Sequence, residues 1–368
     1  MANTVTTPWW MTTVVIPVAN IVLAFAVCSL LFLYIEVNPI DAIVAMVDGS
    51  FGNTEGLGYT LFYATGYIFT GLAVAVAFHC GLFNIGGEGQ ATFAGLGVTA
   101  VALALGPIMP MILVIPLAII MAGVFGAAWA YIPAYLQAKR GSHIVITTIM
   151  FNFIAASLMV YLLVDWLRPP GSMSSESAVF PTNSWMPRVW EWFGWRRSPL
   201  NLTFIVALLA AYGTWLFLWR TRWGYEVRAL GFNHNAARFA GISDSKVVIL
   251  AMLVSGMLAG LFAVNALLGD LHQLKLGYVA GFGFTGIAVA LMGRNHPVGI
   301  VLAAVFFGFL YQGGAELKFA YEVDRNIVVV LQGLVVLFSG ALEHMLKQPL
   351  TKLYIRFQVK KKEEPAHV

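Results

Sequence analysis

HCGLFNIGGEGQATFAG, residues 79–95, sets Asn84, Glu88 and Gln90 among Gly86, Gly87 and Gly89 in the middle of membrane-grade sequence. Apolar runs lie on both sides of it. A carboxylate at membrane depth is costly and ordinarily faces a cavity, a partner or a path. Glycines beside it point to a helix that breaks. The rest of the chain supports the membrane reading: 60% of its 368 residues are hydrophobic and only 10% are charged. Soluble domains carry about 25% charged residues. The fold expected is therefore all-α, a polytopic bundle of transmembrane helices in a single domain over residues 1–368.

A spanning helix takes roughly 20 apolar residues. Eight runs qualify, at 11–34, 59–78, 110–131, 144–167, 200–219, 247–268, 299–312 and 327–346. Two weaker ones, 90–105 and 282–293, bring the expectation to about ten segments; merging or dropping them leaves eight or nine. The first run lacks preceding Lys or Arg and a small-residue cleavage site, so it reads as a retained helix. With ten segments and both termini cytoplasmic, 14 basic residues fall inside and 7 outside, the bias expected of cytoplasmic loops. Outside, 38–50 reads as an amphipathic helix lying flat at the interface. The stretch 168–199 carries Trp185, Trp190, Trp192 and Trp195, suited to an interfacial belt. Inside, 347–368 reads as a solvated tail.

The two weak segments share a design: GLFNIGGEGQ precedes one short apolar helix and GYVAGFGFTG the other. Short, Gly-interrupted segments in matching halves are the best sequence pointer to a transport path, because freed backbone groups need protein or water around them. Phe83, Asn84, Glu88, Gln90, Phe282 and Phe284 on these segments, with Asn152 in SHIVITTIMFNFIA, are the candidate path residues. The alternative is that the glycines only allow close helix packing and that Glu88 ties down its own loop. The stretch 220–246 is too long for a simple turn and reads equally as a docking loop or as a loop folded on its own helices. Cys28 and Cys80, with His79, do not amount to a metal or disulfide framework. The net charge of +4 reads as membrane orientation, not nucleic-acid binding. No Walker A sequence, HExxH or Gly-x-Ser-x-Gly elbow is present, so any ATP hydrolysis must lie in another subunit.

GLFNIGGEGQATFAG, ITTIMFNFIA, RALGFNHNAARFAGIS and GFGFTGIAVALMGRNHPVGI, taken together, resemble the membrane permeases of bacterial ABC importers in the branched-chain amino acid and simple-sugar superfamily, and its nucleoside-type branch in particular. The resemblance implies a chain of the bacterial inner membrane with four kinds of partner: lipid, an ABC ATPase, a second permease of related sequence and an extracytoplasmic solute-binding protein. It implies no cofactor on this chain, ATP being used by the ATPase. It makes 220–246 the coupling loop, with Arg228, Gly231, Asn235, Ala236, Arg238 and Gly241 on or beside its docking helix. A bulky residue at Gly231 is then expected to uncouple transport while leaving the membrane fold intact. One departure concerns Ile144, next to His143, where an acidic residue is common in the family.

The function expected is an importer permease for nucleosides, with Phe83, Asn84 and Phe284 nearer the solute and Glu88 organising the break. Simple sugars and flavin-like solutes are alternatives of the same class. An ion-coupled secondary transporter, with Glu88 as proton carrier, is the alternative of another class.

Overall fold

A computed structural model describes residues 15–194, 197–322 and 325–340. The tail 347–368 and Trp195 lie outside them. The described residues are helical, with only two isolated β-bridges, Glu176 to Lys275 and Arg188 to Asn201. In chain order the α-helices are α1 Ile16–Tyr34, α2 Pro39–Phe51, α3 Thr54–His79, α4 Gly87–Leu105, α5 Met111–Arg140, α6 Ile144–Leu162, α7 Trp190–Phe193, α8 Thr203–Arg220, α9 Arg222–Phe232, α10 His234–Phe239, α11 Asp244–Gly260, α12 Phe282–Met292, α13 Pro297–Tyr321 and α14 Arg325–Gly340. Among the described residues seven helices are long and apolar enough to cross a membrane, and α1 with α2, bent by 112°, would make an eighth. The shorter α12 and α14 fall on two further segments read from the sequence; residues 11–14 and 341–346 of the first and last runs lie outside the described residues.

The chain divides into two compact units, 1–46 with 313–368, and Val47–Gln312. In the first, α1 packs against α14. The second holds both broken segments. Its centre is α3, which is buried on nearly every face. That burial follows from composition: Ala64, Gly66, Gly71, Ala73, Ala75 and Ala77 let neighbouring helices come close. A Cβ on Gly66 would meet the rings of Phe262 and Phe282, and one on Gly71 would meet Val289 and Ile300. The same device joins α5 to α11, where a Cβ on Gly126 would strike the carbonyl of Gly256. By contrast α5, α6 and α8 leave most of their apolar surface uncovered, as helices facing lipid or another chain do.

The two ends of this unit differ. At one end residues 168–194 form a strap. Its backbone N–H groups at Ser177, Phe180 and Met186 donate to the carbonyls of Leu274, His272 and Leu268. The Ser184 hydroxyl donates to the carbonyl of Ala102 at 3.2 Å. Trp185 is not part of a belt: it donates to the Phe180 carbonyl at 2.9 Å and stacks on His272. At the other end α9 and α10 form a helical hairpin.

Two broken helices and a candidate solute path

The first break begins where α3 ends. Gly81, at φ +73°, reverses the chain, with its N–H on the Phe78 carbonyl and that of Leu82 on Ala77. A left-handed residue after a helix is a common stop, and glycine adopts it without cost. The chain then climbs through 80–86 to start α4 at Gly87. Asn84 holds this climb together. Its Oδ1 accepts from the N–H of Gly86 at 2.8 Å and from Gln90 at 3.3 Å. Its Nδ2 donates to Gln90 Oε1 at 3.1 Å and to Ser255 Oγ at 2.9 Å. Asn84 is 1% exposed, so its amide is fully engaged inside the protein. Asn152 braces the same loop from α6: its Oδ1 accepts from the N–H of Gly89 and its Nδ2 donates to the carbonyl of Ile85, at 2.8 and 3.0 Å. The first-turn N–H groups of α4 have no partner within their own helix, and Asn152 supplies one.

The second break has the same logic. The span containing α11 turns into a π-helix over Val264–Leu271, a distortion frequent at functional sites. The chain then passes through left-handed residues at His272, Gly277, Ala280 and Gly281 before α12 starts. The Glu88 carboxylate lies at that start. Oε1 accepts from the N–H of Gly281 and Oε2 from the N–H of Gly283, each at 2.9 Å. Tyr278 donates from its hydroxyl to the carbonyl of Ala91. A Cβ on Gly283 would collide with the backbone of Glu88, so only glycine lets the two tips touch. The N-termini of α4 and α12 thus converge, with one carboxylate joining them. Both helix dipoles place positive ends there, and an anion at that point is favoured.

Beside this junction, toward the strap, lies a cavity of about 150 Å³. Six rings wall it, from Phe62, Tyr63, Phe262, Tyr278, Phe282 and Tyr311, with Asn265 and Asp270 as its strongly polar side chains. Phe282 stacks on Tyr67 with centroids 4.5 Å apart. Asn265 is held by Asn201 at 3.3 Å and donates to the Phe62 carbonyl at 3.2 Å. Asp270 is exposed. Of the sequence candidates, only Phe282 lines this cavity. Phe83 packs edge-on against Phe78, Phe284 is 49% exposed elsewhere on α12, and Asn84, Gln90 and Asn152 hold the loop. The two polar residues that sequence reasoning passed over are visible at the end of an apolar run, in VNALLGD at 264–270.

A family profile described as branched-chain amino acid transport system / permease component matches residues 56–340. The chain belongs to this permease family. It is 35% identical to the guanosine ABC transporter permease protein NupP of Bacillus subtilis, over 89% of this chain and 92% of that one. It is 34% identical to the nucleoside ABC transporter permease protein NupB of Lactococcus lactis, over 88% and 90%. The glucose ABC transporter permease protein TsgB13 of Haloferax volcanii is also 34% identical, over 88% and 86%. The chain is thus a multi-pass ABC permease.

The permease's hairpin is well defined. Thr221 caps α9 by accepting from the N–H of Gly224 at 3.0 Å. Asn233 caps α10 through the N–H groups of Asn235 and Ala236. Gly241, at φ +80° with open space around it, closes α10. Arg238 pairs with Asp244 at 2.6 Å. Asn235, Ala236 and Arg238 are exposed, and Phe232 and Phe239 project with 88% and 94% exposure. Two expected docking residues also touch the permease's own backbone. Arg228 donates to the Leu218 carbonyl at 3.0 Å. Gly231 sits against the end of α3, where a Cβ would strike the carbonyl of His79 and the N–H of Gly81. The expectation that a bulky residue at Gly231 spares the fold is therefore corrected. Gly231 is where the hairpin seats on the first break, and a side chain there would force the two apart.

Proposed function

We propose that this chain is the permease subunit of an ATP-driven importer of nucleosides. It works with a separate ABC ATPase, a second permease of related sequence and an extracytoplasmic solute-binding protein. The six-ring cavity that ends on the Glu88-bridged junction is the observation that carries this reading. A nucleoside needs an apolar or aromatic wall for its base and hydrogen-bond partners for its hydroxyls. The rings offer the first. The Asp270 carboxylate offers two acceptors to a pair of ribose hydroxyls. The nucleoside permeases among the relatives support the same substrate class. ATP is consumed by the partner, and no cofactor is held on this chain.

In this proposal the strap lies outside the cell and the hairpin in the cytoplasm, with both termini cytoplasmic. The solute enters between strap and cavity. The α4–α12 junction closes the path below it. The hairpin transmits the ATPase's movement, because Gly231 rests on the carbonyl of His79 and so on the foot of the 80–86 loop. The loop in turn leads into the first turn of α4, which carries Glu88. Phe83 and Phe284, which do not line the cavity, are in this proposal the rings that the solute meets after the junction opens.

Two experiments test the proposal. Asp270→Asn removes a charged acceptor, a loss of about 1.5–3 kcal/mol for a hydrogen bond to a charge. The kcat/KM of guanosine uptake into proteoliposomes carrying the whole complex should fall at least about tenfold. Unchanged uptake, or uptake blocked by glucose and indifferent to nucleosides, would replace this substrate reading. For orientation, the native cysteines are both buried, so a cysteine introduced at Met173 should react with an impermeant maleimide from outside and one at Asn235 should not. The opposite pattern inverts the topology.

A further inference from the structure

A second cavity, of about 560 Å³, opens in the strap. Met111, Trp185, Trp190 and Trp192 line it, together with Arg188, Glu191 and His272. Its floor is preformed. The Trp185 and His272 rings stack with centroids 3.9 Å apart and planes 12° from parallel. Arg188 donates from Nη2 to His272 Nε2 at 2.9 Å and from Nε to the Gly269 carbonyl at 3.4 Å. Burial, and then the Arg188 charge, push the His272 imidazole down to about 4. The ring is therefore neutral at physiological pH and its Nε2 can accept from the guanidinium.

The two cavities are separated by one short piece of chain. Asp270 lines the six-ring cavity and His272, two residues on, lines this one. Arg188 is bonded to both ends of that piece, at Gly269 and His272. The cavities share a chemical plan: aromatic walls, one carboxylate, few other charges. They differ in size. Small-molecule pockets are usually about 300–1,000 Å³. The strap cavity lies inside that range and the inner cavity below it, so in this conformation only the outer one has room for a base and its ribose.

We propose that the strap cavity is an outer station for the same solute, a planar heteroaromatic base carrying ribose, occupied before the inner cavity widens. The inference rests on the nucleoside reading above. The base lies on the indoles of Trp190 and Trp192, its carbonyl and ring-nitrogen acceptors face Arg188, and the hydroxyls face Glu191. Arg188 then couples the stations, because a ligand that draws the guanidinium away from Gly269 and His272 loosens the wall in front of Asp270.

The test is equilibrium binding of tritiated guanosine to the complete transporter in nanodiscs, without binding protein or ATP. Trp192 is 60% exposed, so Trp192→Ser should fold normally, yet weaken guanosine binding at least tenfold and raise the KM of uptake. Trp166, exposed and outside the cavity, is the control: Trp166→Ser should bind as the native protein does. Asp270→Asn should lower the kcat/KM of uptake at least about tenfold and keep binding. Binding equally strong in Trp192→Ser, or lost in Asp270→Asn, would overturn the outer station while leaving the nucleoside reading in place. Binding of glucose in place of guanosine, abolished by Trp192→Ser, would overturn the nucleoside reading and with it the ligand proposed here.

Discussion

Glu88→Leu should reduce uptake to below about one hundredth of the native rate, and Glu88→Gln to about one tenth. The ordering follows from what the carboxylate does. Its two oxygens accept from the N–H groups of Gly281 and Gly283, which α12 cannot satisfy within itself. Leucine leaves both part-buried donors without this acceptor, at up to about 1–3 kcal/mol each, and removes the anion facing two helix N-termini. The α4–α12 junction then has nothing to close it. Glutamine keeps one acceptor oxygen but presents an amide N–H₂ to the second donor, so roughly half of the bridge remains. A factor of ten corresponds to about 1.4 kcal/mol, within the cost of one lost bond. A proton carrier behaves differently. In that case glutamine is as inactive as leucine and uptake loses its pH dependence. Uptake measured for both variants across pH, at equal expression and with the proton gradient collapsed but ATP preserved, separates the two. Uptake that stops with the gradient would establish ion coupling.

Phe232→Ala with Phe239→Ala should abolish ATP-driven uptake while leaving the permease folded. Both rings stand almost wholly in solvent, so their removal opens no cavity in the permease. They project from the end of α9 and from α10, whose caps at Thr221, Asn233 and Gly241 fix their direction. Exposed aromatic anchors that fill a partner's pocket commonly contribute 2 kcal/mol or more each. Losing two corresponds to about a thousandfold in affinity at that magnitude. The purified permease should show an unchanged melting curve, the ATPase should no longer co-purify with it, and uptake should be absent. An intact complex pumping at the native rate would remove the hairpin's aromatic pair from the coupling surface. This pair tests docking better than Gly231 does, since Gly231 supports the permease's own packing.

How far the sequence reaches differs between the two breaks and the cavity beside them. The break at 80–86 was legible because glycine and polar residues interrupt an apolar run, and such local conflicts have few other causes. The break before α12 was legible for the same reason. Asn84, Gln90 and Asn152 stand out in an apolar sequence, since a buried amide needs partners, but polarity alone does not say whether the partner is a solute or the backbone. Here Asn84 and Asn152 satisfy the loop itself. The ring wall was out of reach. Phe62, Tyr63, Phe262, Tyr278 and Tyr311 come from four separate parts of the chain, and aromatic residues make up 14% of it, so no spacing marks these five.

By itself the sequence determined the membrane class, the all-helical fold, where most of its apolar helices lie and the two places where helices break. Those properties are set by the solvent: hydrocarbon demands apolar side chains and internally bonded backbone over a fixed length, and both demands are written residue by residue. Only the tertiary structure decided what each polar group touches. The pairing of Glu88 with Gly281 and Gly283 joins residues more than 190 positions apart. The seat of Gly231 on His79 and the cavity closed by Asp270 depend in the same way on which helices lie side by side. That arrangement is set by close packing of small residues such as Gly126 against Gly256, whose effect exists only when both helices are in place.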